Sequence, residues 1–433
     1  MTTYGCKRNF CKKYVEIEDL VREHEITSRS ALHLVPTENL LSPLAKTFLM
    51  SDGSSRYALE NPRNAVGWYL AGEDKLNEIE RITRKNVKTL FNANYSNIAP
   101  LSGINCMSIM LSGLKLPKQV LFTMPMKFGG HECTVSIAKR FGIKSGLLSY
   151  DENGLVVDVE RSAKKINKSK NAHIYLDSSM ILFPHPIKEL RKELTTETII
   201  TYDGSQIMGL IAGGLFQKPL KEGADFLCGS VHKSFFGPQK AIIVGKKNSL
   251  SKNLEIALSQ FVSNKHMGDV ISFSISVLEM LEFGTEYARQ CVKNSKALAE
   301  GLYCRGFKVQ AEELGFTESN QIWVDVGNDV YKSKRVLFDF AKANIFINLT
   351  RIPSLGGKPG WRIGTQELTR LGMRENEMDL IASFISDIFI GKKSSSVVRK
   401  DVDLLRKNFS IPKYCVNPKK KHLKTLFELF SYY

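Results

Sequence analysis

From Gly72 onward, apolar side chains at Leu76, Ile79, Ile82, Val87, Leu90 and Phe91 recur at helical spacing behind an acidic first turn. That pattern predicts a long amphipathic helix. Beyond it the rhythm changes to short apolar segments, Gln119–Thr123, His173–Leu176, Thr198–Tyr202, Asp225–Cys228 and Ala241–Val244, separated in several places by helical stretches such as 134–142 and 186–194. Strands of this kind alternating with helices predict an α/β fold, a mostly parallel sheet covered on both faces. Ligands of such sheets sit beyond the carboxyl ends of the strands, so the residues just after each strand are the ones that can carry chemistry. From about Val270 to Gly306 the spacing is helical again, long enough to tie a first domain to a second. Strand patterns over 319–326 and 344–349 and a helical one over 374–390 predict a smaller α+β unit. The expected organisation is an N-terminal arm at 1–33, a large domain at 34–282, a small C-terminal domain at 283–415 and a basic tail at 416–433.

Composition changes this picture little. The 433 residues are 43% hydrophobic and 24% charged, with 31 Gly and 14 Pro, as in soluble globular chains. The longest apolar run, Ile207 to Phe216, is short for a bilayer span and is broken by three glycines, so no membrane association is expected. The basic start, Met1 to Lys13, is followed by Glu16, Glu18 and Asp19 rather than by an apolar segment, which argues against a secretory signal. Eight scattered cysteines show no metal-ligand spacing. No metal site is expected, and the cytoplasm is the expected location. The net charge of +17 is concentrated at the ends, 1–14 and 391–433, which supply 12 of the excess charges. Solvated tails explain this better than a nucleic-acid surface.

The candidate chemistry lies at two strand ends. Asp203 closes Thr198–Tyr202, and Asp225–Cys228 runs through Gly229 and Ser230 into His232 and Lys233. A lysine set between a histidine and Phe235-Phe236-Gly237-Pro238 has apolar neighbours, and burial lowers an amine pKa enough to make it a Schiff-base nucleophile. Pyridoxal phosphate needs such a lysine, a carboxylate for its ring nitrogen, an aromatic face and small donors at a helix start for its phosphate. Lys233 and Asp203 meet the first two needs, Gly129-Gly130-His131 offers a ring, and Ser102-Gly103 opens a helical stretch.

With these residues in view, the chain resembles the serine hydroxymethyltransferase family of fold-type I pyridoxal phosphate enzymes, from about Leu34 to Tyr414. The likeness is carried by Val35-Pro-Thr-Glu-Asn39, Arg56-Tyr57-Ala58, Asn77-Glu-Ile-Glu80, Ser102-Gly103, Gly129-Gly-His131, Asp203 with Gly209-Leu-Ile-Ala-Gly213, Val231-His-Lys-Ser234 with Gly237-Pro238, and Arg362-Ile-Gly-Thr365. The resemblance implies Lys233 as the cofactor lysine with His232 beside it, Asp203 at the pyridinium nitrogen, His131 as the stacking ring, and Ser102 and Gly103 as phosphate ligands. It places Ser178 at the cofactor's phenolic oxygen, Ser230 and Gln206 in the cofactor set, and Thr37 and Arg362 on the substrate, Arg362 clamping its carboxylate. Tyr57 is expected from a neighbouring subunit, which implies an obligate homodimer.

Departures from the family pattern cluster on the folate side. The family carries a glutamate directly after its Tyr-Ala pair; here Leu59 follows Tyr57-Ala58 and Glu60 is displaced by one. A folate-contacting Leu-Thr-His-Gly run is replaced by Glu132-Cys-Thr-Val, and the histidine three residues beyond the aspartate is Gln206. A Gln-Gly-Gly-Pro phosphate loop is replaced by Ser263-Asn-Lys-His-Met-Gly268, in which Lys265, His266 and Gly268 remain candidate phosphate ligands. The expectation is an enzyme acting at the Cα–Cβ bond of serine, threonine or a related β-hydroxy amino acid, as a folate-independent aldolase or transaldolase. Use of tetrahydrofolate stays open as the alternative, and an aminotransferase or a non-catalytic scaffold are the rivals. Glu60, Glu38 and His232, in that order, are the candidate bases for the β-hydroxyl. Lys419 to Phe430, beyond the family's usual end, reads as a frayed or locally packed tail rather than a basic amphipathic helix for a partner.

Overall fold

The structure is a computed structural model and describes residues 8–58, 71–327 and 330–431. Its centre is a seven-stranded sheet of β1 (Tyr95–Asn97), β2 (Val120–Thr123), β3 (Lys144–Leu147), β4 (Ala172–Leu176), β5 (Thr198–Asp203), β6 (Phe226–Ser230) and β7 (Ala241–Gly245), in the order β1-β7-β6-β5-β4-β2-β3. Strands β2 to β6 pair in parallel, and β7 runs antiparallel to both of its neighbours. Every residue of β4, β6 and β7 is buried, because helices cover both faces, and that is why these segments read as unbroken apolar runs. The edge strands gave weaker signals: β1 is Tyr-Ser-Asn and is held by backbone pairing to Ile243–Gly245, and β3 is largely exposed.

The second unit is a four-stranded antiparallel sheet of β8 (Lys308–Val309), β9 (Gln321–Asp325), β10 (Asn348–Ile352) and β11 (Lys358–Gly364), in the order β8-β9-β11-β10. Trp323 and Trp361 are fully buried in it. The strand expected over 344–349 is in fact two. Ile345–Phe346 pairs in parallel with Leu32–His33, and the chain then crosses to the other sheet at Asn348. Leu32 and Leu34 therefore belong to the core of this second unit, and the helix α1 (Arg8–Ser30) leads into it.

Helix α2 (Asp74–Phe91) is the amphipathic helix expected after Gly72, burying Glu80, Thr83, Val87 and Phe91 on one face. Helix α3 (Gly103–Gly113) starts at Ser102, and α4 (Met267–Tyr303) runs for 37 residues, roughly 55 Å at the helical rise. The first half of α4 buries Met267, Phe273 and Tyr287 in the large core, and its last turns bury Leu298 and Leu302 in the small one. One rod thus sets the position of the two units. The short α5 (Gln366–Arg370) packs on it, followed by α6 (Glu375–Phe389), as the spacing over 374–390 predicts. The last helix, α7 (Lys420–Ser431), buries none of its side chains; Phe430 meets the Phe48 ring at 5.6 Å, so the tail is helical and locally packed.

The junction is pinned by a buried ion pair. Arg370 on α5 and Glu279 on α4 are 2.9 Å apart and both essentially inaccessible. The guanidinium also lies 3.6 Å over the Phe236 ring and donates to the Lys413 carbonyl at 2.9 Å. Removing one partner of such a pair strands the other charge in the interior, which costs about 3–5 kcal/mol. Glu279→Ala is expected to lose that much in chemical denaturation; a loss below about 1 kcal/mol would mean the pair is inert.

Candidate functional site

The carboxyl ends of β2, β4, β5 and β6 open on a cavity of about 200 Å³ whose walls include Ser102, Gly103, His131, Asp177, Ser178, Asp203, Gln206, Ser230, His232 and Lys233. Backbone geometry brings these groups this close. Gly229 takes φ +134°, and a Cβ there would stand 2.7 Å from Asp203 Oδ1, so only glycine lets β6 pass beside that carboxylate. Gly103 lies close to β6 as well: a Cβ there would stand 2.5 Å from Ser230 Oγ, so that hydroxyl would have to move. Ser102 is the N-cap of α3, its hydroxyl accepting from Asn105 N–H at 3.2 Å, and it brings the positive start of an eleven-residue helix to the cavity wall.

Lys233 follows β6 on a turn clamped from two sides. Asn39 donates to the Lys233 carbonyl at 2.8 Å, and the buried Tyr287 hydroxyl donates to the Ser234 carbonyl at 2.9 Å. The lysine amine makes no hydrogen bond among the described residues. Burial pushes it down to about 8, with Asp203 opposing and Arg362 adding to the shift. Asp203 is held by the Ser205 N–H at 2.9 Å, the Ser205 hydroxyl at 2.5 Å and the Tyr175 hydroxyl at 3.0 Å. His232 is pushed down to about 4 by burial and then by Lys233, so it is uncharged at neutral pH.

His131 is carried on the loop after β2, and burial lowers its pKa. What fixes that loop is Asp177, at the end of β4. Its Oδ1 accepts from the Thr123 hydroxyl at 2.7 Å and Met124 N–H at 3.2 Å, and its Oδ2 from His131 N–H at 3.2 Å and the Thr134 hydroxyl at 2.5 Å. Asp177 was not among the residues singled out from the sequence, although an acid directly after an apolar strand is the same signal that marks Asp203.

A second cavity of about 540 Å³ adjoins the first between the loop at Met126–Glu132 and strands β10 and β11. Arg362 stands at the junction, on β11, and is 6% exposed. Its Nε donates to Gln321 Oε1 at 3.0 Å, and its Nη2 to the Ser179 carbonyl and to Gln206 Oε1, both at 2.7 Å. These acceptors are neutral; among the described residues no carboxylate pairs with Arg362. Burial pushes the guanidinium down to about 9, still protonated at neutral pH.

Of the other residues named from the sequence, Gln206 and Ser178 line this cavity, and those that follow them are placed elsewhere or lie on turns and loops. Gln206 is on the cavity wall, and its side-chain oxygen accepts from Arg362 Nη2 at 2.7 Å. The Ser178 hydroxyl is 2.7 Å from Nε2 of buried His185. Thr37 lies on the turn after Leu34, whose carbonyl accepts the Gly364 N–H at the end of β11. Glu38 faces His33, 3.4 Å from its Nδ1. Gly268 lies in the first turn of α4, where a Cβ would stand 2.1 Å from Ser54 Oγ. Tyr57 is 50% exposed with its hydroxyl 3.5 Å from Ser263 Oγ. Lys265 pairs with the buried Glu80 at 2.5 Å. Glu60 and Leu59 lie outside the described residues.

The group that this constellation suits is pyridoxal phosphate. An amine that is partly desolvated and without a hydrogen bond among the described residues, a carboxylate held by three donors, an imidazole and a capped helix start line one cavity, which meets each requirement of that cofactor.

Comparison with known proteins gives the same direction. The family model described as serine hydroxymethyltransferase matches residues 11–385. The serine hydroxymethyltransferase of Methanobrevibacter smithii is 36% identical over 394 residues, covering 89% of this chain and 92% of that protein. That of Methanocella arvoryzae is 37% identical over 413 residues, covering 92% and 95%. Among solved structures, the L-threonine transaldolase of Pseudomonas fluorescens superposes with a TM-score of 0.89 at 26% identity, covering 98% of this chain and 99% of that one. The sheet with its single reversed strand, the small C-terminal unit and the lysine at the strand ends are thus those of a fold-type I pyridoxal phosphate protein. Likeness along nearly the whole chain, in sequence and in fold, makes this protein a member of the serine hydroxymethyltransferase family.

Proposed function

We propose that the chain is an enzyme that makes or breaks the Cα–Cβ bond of serine, threonine or a related β-hydroxy amino acid, and that it works without folate, as an aldolase or transaldolase. The observation that carries this reading is Arg362, a buried, protonated guanidinium with no carboxylate partner among the described residues, lining the cavity that adjoins the one with Lys233. A cation left without a counter-ion in the interior calls for an anionic ligand, and a planar fork suits a carboxylate.

Pyridoxal phosphate, when bound, supplies an electron sink for a bond broken at the amino acid's α-carbon. The chain's own residues do the rest. Ser102 and Gly103 hold the phosphate, Asp203 the ring nitrogen, and His131 the ring face. Arg362 fixes the substrate carboxylate, which leaves the β-substituent the outer cavity bounded by Met126, Met180, Leu349 and Pro359. His232, uncharged at neutral pH, is available to take the β-hydroxyl proton, and Glu60 and Glu38 are the other candidate bases. Tyr57, exposed on its own chain, is assigned to a neighbouring subunit's site in a homodimer.

Two features support independence from folate: Glu132 lines the outer cavity where the family carries a folate-contacting run, and a transaldolase matches the fold closely. The names of the curated relatives favour the second reading, a tetrahydrofolate-dependent glycine hydroxymethyltransferase. Incubating the holoenzyme with threonine or serine, with and without tetrahydrofolate, separates the two. Glycine and aldehyde are expected from threonine in the absence of folate; strict dependence of every product on added folate would transfer the assignment to the second reading.

A further inference from the structure

Asp203 carries three donors, and their distribution is uneven. Ser205 gives both of its bonds, N–H at 2.9 Å and hydroxyl at 2.5 Å, to Oδ1. The third comes from Tyr175, whose hydroxyl is 3.0 Å from Oδ2. A carboxylate offers about four lone-pair positions, two on each oxygen. Among the described residues Oδ1 is therefore filled, and one acceptor position remains, on the oxygen that Tyr175 holds.

Gln206, at the position where the family resemblance leads one to expect a histidine beside the aspartate, is committed to Arg362 instead. Tyr175 takes the free side of Asp203 from a different strand. It is fully buried on β4, and its hydroxyl also lies 3.6 Å from Cys228 Sγ on β6, so three neighbouring strands meet at one oxygen. Burial pushes the phenol well above its ordinary value, so it stays protonated and donates. A side chain locked in the sheet holds its partner more narrowly than one on a loop.

We propose that Tyr175 is a positioning residue for the cofactor: its hydroxyl fixes the Asp203 carboxylate so that the one remaining Oδ2 acceptor is kept for the ring nitrogen of pyridoxal phosphate. This rests on the cofactor assignment and adds to it a residue outside the motifs that carry the family likeness.

The test is titration of the apoprotein with pyridoxal phosphate, followed by absorbance, for wild type, Tyr175→Phe, Tyr202→Phe, Asp203→Asn and the Tyr175→Phe/Asp203→Asn double variant. Tyr175→Phe removes one oxygen and keeps the ring. Loss of a hydrogen bond to a charged group is expected to weaken cofactor binding about tenfold. Tyr202 is the control: it is buried on β5 beside Asp203, and its hydroxyl has no partner among the described residues, so Tyr202→Phe is expected to bind like wild type. In the Asp203→Asn background, Tyr175→Phe is expected to add no further loss, because the two residues act as one unit.

Wild type that fails to take up the cofactor would remove the cofactor assignment itself. Wild type that binds while Tyr175→Phe binds equally well would leave that assignment standing and overturn the proposal. So would independent, multiplying losses in the double variant, an equal loss in Tyr202→Phe, or a Tyr175→Phe apoprotein that melts earlier yet binds with unchanged affinity.

Discussion

Lys233→Ala is expected to yield a folded protein that no longer retains pyridoxal phosphate after borohydride treatment and turns over at least ~10³-fold more slowly, since the proposed function makes this residue the covalent anchor. Wild type treated in the same way should carry the label on the peptide containing Val231-His-Lys-Ser234. A label at another lysine, or turnover in the variant within about tenfold of wild type, would remove Lys233 from the mechanism. The physical ground is its burial, which pushes the amine down to about 8. At pH 7.5 about a quarter of such amines are neutral, against roughly 0.1% of an ordinary lysine. Only the neutral amine attacks a carbonyl, so the rate of cofactor capture by the apoprotein should rise as pH passes through about 8 and level off above it. The linkage has a matching sign. Between about 8 and the ordinary lysine value of 10.5 the unfolded chain binds the extra proton, so this group's contribution makes the folded state gain stability with rising pH there. A capture rate still climbing at pH 10 would mean the amine is not desolvated.

The second large effect belongs to Arg362→Ala. Three neutral acceptors, Gln206, Gln321 and the Ser179 carbonyl, occupy Nε and Nη2, and Nη1 makes no bond among the described residues. A substrate carboxylate that engages this fork is charge-assisted and desolvated, and truncating one partner of such a pair costs about 2–5 kcal/mol, a loss of ~30-fold or more in binding. Amino-acid-induced absorbance changes should therefore disappear at ordinary substrate concentrations, while the spectrum of the bound cofactor survives because Asp203, His131 and Lys233 are untouched. Arg362→Lys should not restore binding fully, since a point charge lacks the bidentate geometry. Unchanged substrate-induced spectra in Arg362→Ala would contradict the assignment.

The motifs were legible in the sequence because each is a local device. Asp203 and Lys233 announce themselves as polar residues directly after apolar strands, and Ser102-Gly103 as a cap at a helix start. Asp177 sits in the same kind of place yet went unseen, because its work is to accept four bonds from β2, its loop and Thr134, and none of those donors is near it in sequence. The place of Gln206 three residues beyond Asp203 is visible in the sequence, but its partner Arg362 is 156 positions away, and only folding brings the two to 2.7 Å. The strand expected over 344–349 split for a comparable reason: backbone pairing with Leu32–His33 competes for its first residues, a preference that apolar spacing cannot express.

Periodicity, strand-end polarity and the short motifs were by themselves enough to determine the α/β class, the covered sheet and the long connecting helix, because all of these follow from neighbours along the chain. The reversed β7, the joining of Leu32 and Leu34 to the small unit, the pairing of Arg370 with Glu279, and the two side chains that hold Asp203 and Arg362 in place were decided only by tertiary structure. Each depends on contacts between residues far apart in sequence, whose energies arise from burial and from donor–acceptor matching that exist only once the layers have packed.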